Sequence, residues 1–183
     1  MGKFSAVDIK KLWYGDCTSA ELITANLTGS ALYTLLHGGS LAELQNIHQN
    51  TWSIEESEPS QDSYKNQLTG ATYRMGAKEM GEVTFNFTIG QYDYETKAKF
   101  MGYQTYTSGH WARKRGVVEK RMVLVALTED DQYCVLPYAN ISAREADADG
   151  ATGIGVVGTM LEPPTEAVMP EYWFDAAEVV QQQ

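Results

Sequence analysis

The sequence predicts a mainly β protein: an antiparallel β-sandwich or partly closed barrel with one or two short flanking helices. Three observations carry that expectation. Val83–Ile89 alternates apolar and small polar side chains without a break, the period of a strand with one buried face. Met122–Leu127 is apolar throughout, and past Glu129-Asp130-Asp131 a second apolar run returns over Tyr133–Tyr138, the pattern of a hairpin. The 183 residues include 11 Tyr, 4 Trp and 16 Gly but only 5 Pro, a composition that suits strands and tight turns.

In chain order, Ile9–Tyr14 reads as a short strand stopped by Gly15-Asp16. Ala31, Leu32, Leu35 and Leu36 follow helical spacing, with Thr28 placed to cap the front and Gly38 the end, which predicts a helix of about two turns. Thr51–Glu55 alternates as a half-buried strand, and Pro59 ends it. Glu55–Asp62 is polar and acidic and offers no core face, so an exposed connection is expected there. After Val83–Ile89 and Gly90, Asp93 is an N-cap for a short helix over Asp93–Met101, with Gly102 to close it. Met122–Leu127 is expected to be covered on both faces. Its partner contains Pro137, which calls for an edge or a bulge. Ala146–Gly150 reads as an acidic turn and Ile154–Leu161 as a last strand, broken by Pro163-Pro164. No internal repeat is visible. The whole chain, 1–183, reads as one domain, with an N-terminal arm over about 1–28 and a C-terminal tail over about 175–183.

Charge and cysteine usage narrow the function. The formal net charge is −10, which argues against general affinity for a nucleic-acid backbone, since that needs a basic surface. Cys17 and Cys134 lie far apart with no redox or zinc spacing, so two unpaired thiols in a reducing compartment are expected. Met1–Asp8 shows no apolar leader and no run reaches membrane-spanning length. Three Asn-x-Ser/Thr matches, at Asn26, Asn86 and Asn140, therefore read as chance.

No motif carries catalysis. Gly153-Ile154-Gly155-Val156-Val157-Gly158 matches G-x-G-x-x-G literally. However, it sits inside a β-branched run with no room for the helix and second βα unit that hold a dinucleotide. It reads as a strand whose glycines admit a close neighbour. His37, His48 and His110 have no metal-ligand spacing, and no nucleophile elbow appears. No catalytic residue, cofactor or metal is expected. The one basic stretch, Arg113-Lys114-Arg115, in an otherwise acidic chain has three readings: a plain solvated hairpin, a phosphate site, and, favoured over phosphate, contact with carboxylates of another copy, Glu55, Glu56 and Glu58 being the candidates.

Several stretches taken together resemble the tail tube proteins of tailed bacteriophages, in the form found in phages and prophages of gut Bacteroidetes. They are Thr51-Trp52-Ser53-Ile54-Glu55-Glu56-Ser57-Glu58-Pro59, Gly81–Phe85 running into Ile89–Lys97, Ala126-Leu127-Thr128-Glu129-Asp130, and Glu171-Tyr172-Trp173-Phe174. The resemblance spans most of the chain from about residue 50. It implies a two-sheet sandwich flanked by a helix, hexameric rings stacked by loops and the N-terminal arm, and a lumen that passes DNA. The implied partners are copies of itself, other tail proteins and DNA in transit, with no membrane. The implied location is the virion tail after synthesis in the bacterial cytoplasm. Thr84, Asn86 and Thr88, the polar face of Val83–Ile89, are then candidates for the lumen wall. Two other classes remain: a tail terminator or capsid decoration protein, and a β-sandwich that binds glycan or protein through Trp52, Trp111 or Trp173.

Overall fold

The computed structural model describes residues 5, 6 and 8–181. The outermost parts of the expected arm and tail, residues 1–4, 7, 182 and 183, lie outside the described residues. The strands are β1 (Ile9–Asp16), β2 (Ala42–Glu43), β3 (Ser53–Glu56), β4 (Ser60–Lys65), β5 (Thr72–Glu79), β6 (Val83–Ile89), β7 (Thr105–Thr107), β8 (His110–Ala112), β9 (Arg121–Thr128), β10 (Gln132–Ala148), β11 (Ala151–Met160) and β12 (Tyr172–Asp175). The helices are α1 (Gly29–His37) and α2 (Tyr94–Met101).

Most strands join one antiparallel sheet in the order β2-β1-β9-β10-β11-β6-β3, with β12 beside the first part of β10. The sheet curls until one segment touches both of its ends. Leu44 donates its N–H to the Leu12 carbonyl on β1, while His48 donates to the Thr88 carbonyl on β6 and Ile47 bridges Ile89. The result is a sandwich-like, incompletely closed sheet, as the sequence predicts.

The register of β10 explains how one long strand serves two parts of this fold. Its pairing with β9 slips between Leu136 and Ala139, so Pro137 marks a bulge. An extra residue reverses which side chains face inward. Before it Cys134 and Leu136 enter the inner cluster; after it Ala139 and Ile141 do. Val135 points the other way, into a second cluster. The inner cluster holds Phe85, Phe87 and Ile89 of β6, Leu124 of β9, Ile154 and Val156 of β11, and Phe100 and Met101 of α2. The second joins Val123 and Val125 of β9 to Leu32 of α1, with Ile23, Leu27 and Val179 around it. Met122–Ala126 is therefore fully buried on both faces, as its unbroken apolar run requires.

Both helices carry the caps the sequence places there. Thr28 Oγ1 accepts from Ala31 N–H, and Gly38 N–H closes on Thr34 O. Asp93 Oδ1 accepts the Thr96 N–H at 2.7 Å, and Gly102, at φ 67°, ends α2. The cap bonds hold the Asp93 carboxyl below its ordinary value. Its contribution is therefore present at neutral pH and lost as the solution is acidified through that lowered value. Replacing Asp93 by Ala is expected to cost about 1 kcal/mol in urea unfolding at pH 7, with less difference in acid.

Four expectations need correction. Glu55–Asp62 is not one loop: β3 runs to Glu56, and β4 begins at Ser60 as half of a β4–β5 hairpin. Nearly every residue of that hairpin is exposed, so neither face alternates with a core and the strand period is missing from the sequence. Residues 105–112, unassigned in the sequence, form a short β7–β8 hairpin whose three-residue strands are too short to display a period. The acidic turn is shorter than Ala146–Gly150: β10 continues to Ala148 and the chain reverses at Asp149-Gly150, both with positive φ (51° and 85°). Ile154–Leu161 is not the last strand: after Pro163-Pro164 the chain returns as β12, paired with the first part of β10. In the arm and tail regions, β1 pairs with β9, and Val179 is buried beyond β12.

Both cysteines are free and buried. Burial pushes the Cys17 thiol up to about 11 and raises Cys134 further. An unfolded thiol ionises near its ordinary value of 9.0 while the folded one stays protonated. Stability is therefore expected to fall as pH rises from about 9 to 11, and the Cys17→Ala, Cys134→Ala pair should flatten that slope in alkaline urea titrations.

Candidate functional site

Beyond the bulge, β10 leaves β9 and forms with β11, β6 and β3 a four-stranded antiparallel wall. The outward side chains line up in rows across it, as the registers dictate. Glu55, Thr84, Thr159 and Asn140 make one row, Ser53, Asn86, Val157 and Ser142 the next, and Thr88, Gly155 and Arg144 a third. Asn86 Nδ2 donates to Ser53 Oγ at 3.2 Å, and Thr51 Oγ1 accepts from the Thr88 N–H at 3.0 Å, which ties β3 to β6 through side chains as well as main chain. Neither hydrophobic cluster extends over this face among the described residues. Thr84, Asn86 and Thr88 thus lie together on one open, hydroxyl-rich wall that is close to neutral. Glu55 and Arg144 are the ionised side chains of its three rows.

Both lateral edges of the wall are open. β3 pairs with β6 on one side, and no strand of the described residues pairs with the other. On β10, pairing with β9 stops at Asn140, and the last main-chain bond on that side is Ile141 N–H to Lys120 O. The stretch from Ser142 to Asp147 beyond it keeps its β11 neighbours but has no strand on the other side.

The two edges carry opposite charge. Glu55 and Glu56 lie on β3, Glu58 follows it, and Glu82 lies across the same end; all are exposed or nearly so. Glu55, Glu56, Ser57, Glu82 and Thr84 line one acidic cleft. Beside the β10 edge runs the basic loop. Arg113 and Lys114, with Arg121, rim a cleft of about 440 Å³ whose floor is Phe100, Met101, Ile141 and Ala143. Arg115 is exposed beside them. Arg113 reaches Glu145 at 3.5 Å with both side chains about half exposed, a pair worth little by itself. Lys97 anchors the region more firmly. It bonds Glu145 at 2.8 Å, lies 4.5 Å from the Trp111 ring centre, and holds the Glu145 carboxyl below its ordinary value. Arg121 Nη1 donates to Asn140 Oδ1 at 2.6 Å, fixing the end of the paired stretch.

The structure brings together Thr84, Asn86 and Thr88 on the wall, Glu55, Glu56 and Glu58 at one edge, and Arg113, Lys114 and Arg115 at the other. Within one chain the acidic and basic groups do not meet. Sequence reasoning missed the rest of the wall, namely Ser53, Asn140, Ser142, Arg144, Val157 and Thr159. Only Val83–Ile89 announces its polar face; in β11 the outward positions include Gly155 and Val157, which look like core.

The tryptophans do not form a surface platform. Trp52 is buried in the inner cluster, and Trp111 is half-buried with its indole N–H on Gly102 O at 2.9 Å. Trp173 is half-buried and packs against the inner cluster. The G-x-G-x-x-G stretch lies within β11, where a Cβ at Gly158 would come within 2.5 Å of Leu124 Cδ1. Its glycines serve close packing. Among the described residues no group of three or more His, Cys, Asp or Glu could hold a metal ion, and no helix is long and apolar enough to cross a membrane. No protein-family model and no curated protein sequence matches the chain.

Proposed function

We propose that the chain is a ring- and tube-forming structural subunit of the phage tail tube kind, acting in the virion tail. The observation that carries this reading is the four-stranded wall: polar on its uncovered face, open at both edges, and acidic at one edge but basic at the other. Strand direction alternates through β10, β11, β6 and β3, so the β3 of a neighbour laid against β10 is antiparallel to it. Pairing of this kind uses two different patches, so it repeats from copy to copy and closes when the rotation allows. It also removes the exposed edges that would otherwise invite aggregation.

The dimensions suit the role. Four strands from each of six copies, the number the resemblance implies, spaced about 4.8 Å and tilted about 40°, close a ring roughly 50 Å across between backbones. Thr84, Asn86 and Thr88 then line the lumen. A near-neutral wall of hydroxyl and amide groups gives DNA phosphates no cationic track to hold, so DNA slides through.

Sedimentation velocity over a wide concentration range tests the reading. Monomer converting to a closed ring and then to longer species supports it; monomer throughout removes it. Rings that never lengthen favour a terminator-like role for the same wall.

A further inference from the structure

Strand pairing between copies leaves a register to be set, and the wall itself carries what sets it. Glu55 on β3 and Arg144 on β10 are the ionised side chains of its three rows, one at each open edge. Both are exposed, and neither side chain makes a hydrogen bond or ion pair with another described residue. The main chain decides which residues can meet. Ser57 gives its N–H to Glu82 O on β6, so Ile54 and Glu56 turn their main-chain groups to the open side of β3. Ile141 gives its N–H to Lys120 O, so Ala143 and Glu145 turn theirs to the open side of β10. Joining the two edges with their polar faces continuous therefore leaves Glu55 opposite Ser142, Arg144 or Ala146.

Antiparallel partners count in opposite directions, so each choice fixes its neighbours. With Glu55 at Ser142, Glu56 falls on Ile141, whose N–H already bonds Lys120 O at 3.0 Å. With Glu55 at Ala146, Glu56 falls on Glu145, like charges directly opposite. With Glu55 at Arg144, opposite charges face each other, Glu56 meets Ala143 beside Arg113, and all of β3 pairs inside the open edge. The slope of the strands selects the same choice. A line straight across the wall from Glu55 passes Thr84 and Thr159 and reaches β10 at Asn140. Arg144 lies four residues further on. Each copy is then displaced about 13 Å along the strands for about 19 Å of wall, a tilt of about 35° whatever the number of copies. Barrels tilt by roughly 35–45°, while Ser142 would give about 19° and Ala146 about 46°.

We propose that Glu55 of one copy and Arg144 of the next form the ion pair that sets the register, and with it the strand tilt, of the ring. The pair rests on the tube reading for the ring itself and adds what fixes its geometry. It is a pair without main-chain bonds of its own, the position where opposed side chains come closest. It also matches the two charges of the wall with each other, so the neutrality of the lumen face is completed only on assembly.

The test is disulfide scanning across the seam. Glu55→Cys is combined in three variants with Ser142→Cys, Arg144→Cys or Ala146→Cys. Opposed residues of such a pair lie about 4.5 Å apart at Cα, within disulfide reach. The natural thiols are buried and do not compete. After mild oxidation of the assembled protein, the variant with Arg144→Cys is expected to give a denaturing-gel ladder that extends beyond dimer, and the other two to stay monomeric. A charge swap reads the ion pair directly. Arg144→Glu alone should weaken each contact about tenfold in sedimentation, and Glu55→Arg with Arg144→Glu should restore it. A ladder from Ser142→Cys or Ala146→Cys in place of Arg144→Cys, or rings with no ladder from any variant, overturns the register and leaves the tube reading intact. Assembly unchanged by Arg144→Glu overturns the ion pair. Monomer throughout, the natural chain included, overturns both the pair and the tube reading.

Discussion

Reversing Arg113, Lys114 and Arg115 to Glu is expected to abolish lateral assembly while leaving the monomer folded. The three side chains border the open edge of β10, and in the proposed ring they face Glu55, Glu56 and Glu58 of the next β3. Reversal replaces attraction by like charges held side by side, which costs several kcal/mol at an interface. A loss of about 3 kcal/mol weakens each contact on the order of 100-fold, enough to empty a ring at concentrations where the natural chain is fully assembled. The monomer should change little, because Arg113 makes a half-exposed pair with Glu145 and lies 5.8 Å over the Trp111 ring, contacts worth little at an exposed site, and the other two are exposed. Glu55→Lys, Glu56→Lys and Glu58→Lys should fail alone in the same way. Combining all six reversals in one chain should restore most of the assembly, since each junction then pairs opposite charges again at every site but Arg144. Restoration by the sextuple variant, read by sedimentation, separates a specific junction from general charge effects. Assembly unchanged by the first triple variant would contradict the junction.

Phe87→Ala is expected to be the most damaging single change to the monomer, lowering unfolding free energy by about 3–5 kcal/mol in urea titrations. Phe87 is 1% exposed at the centre of the inner cluster. Its ring stands edge-on between Phe85 at 6.0 Å and Phe100 at 6.1 Å, so it links β6 to α2. Truncation removes both ring contacts and leaves a cavity that two strands and a helix cannot easily collapse. Against a typical total of roughly 5–15 kcal/mol, that is a large share. The neighbour Thr88 provides the contrast. It points from the same strand to the open wall, and Thr88→Ser should change monomer stability by no more than about 0.5 kcal/mol. A large effect at Thr88 with a small one at Phe87 would reverse the two faces of β6.

These two predictions show what was legible in the sequence. The faces of β6 could be read because each alternate residue differs sharply from its neighbour, and α2 because Asp93 and Gly102 bracket it. Met122–Ala126 announced burial on both sides. The bulge at Pro137 could be anticipated, but not its consequence, that β10 changes sheet partners and turns its distal half into an open edge. That depends on where β9 ends and which strand follows, neither of which is local. The β4–β5 hairpin escaped because nearly all of it is exposed: a strand with no buried face has no apolar period to display. The basic loop was visible as a cluster of charge, and its position beside an unpaired edge was not.

Electron cryo-microscopy of the protein assembled at high concentration tests the central claim most directly. The account predicts a ring whose inner wall is one continuous sheet, β3 of each copy hydrogen-bonded to the Ser142–Asp147 edge of the next, with Thr84, Asn86 and Thr88 facing the lumen. Assemblies that leave both edges in solvent, or that bury the Thr84 face against protein, would contradict it.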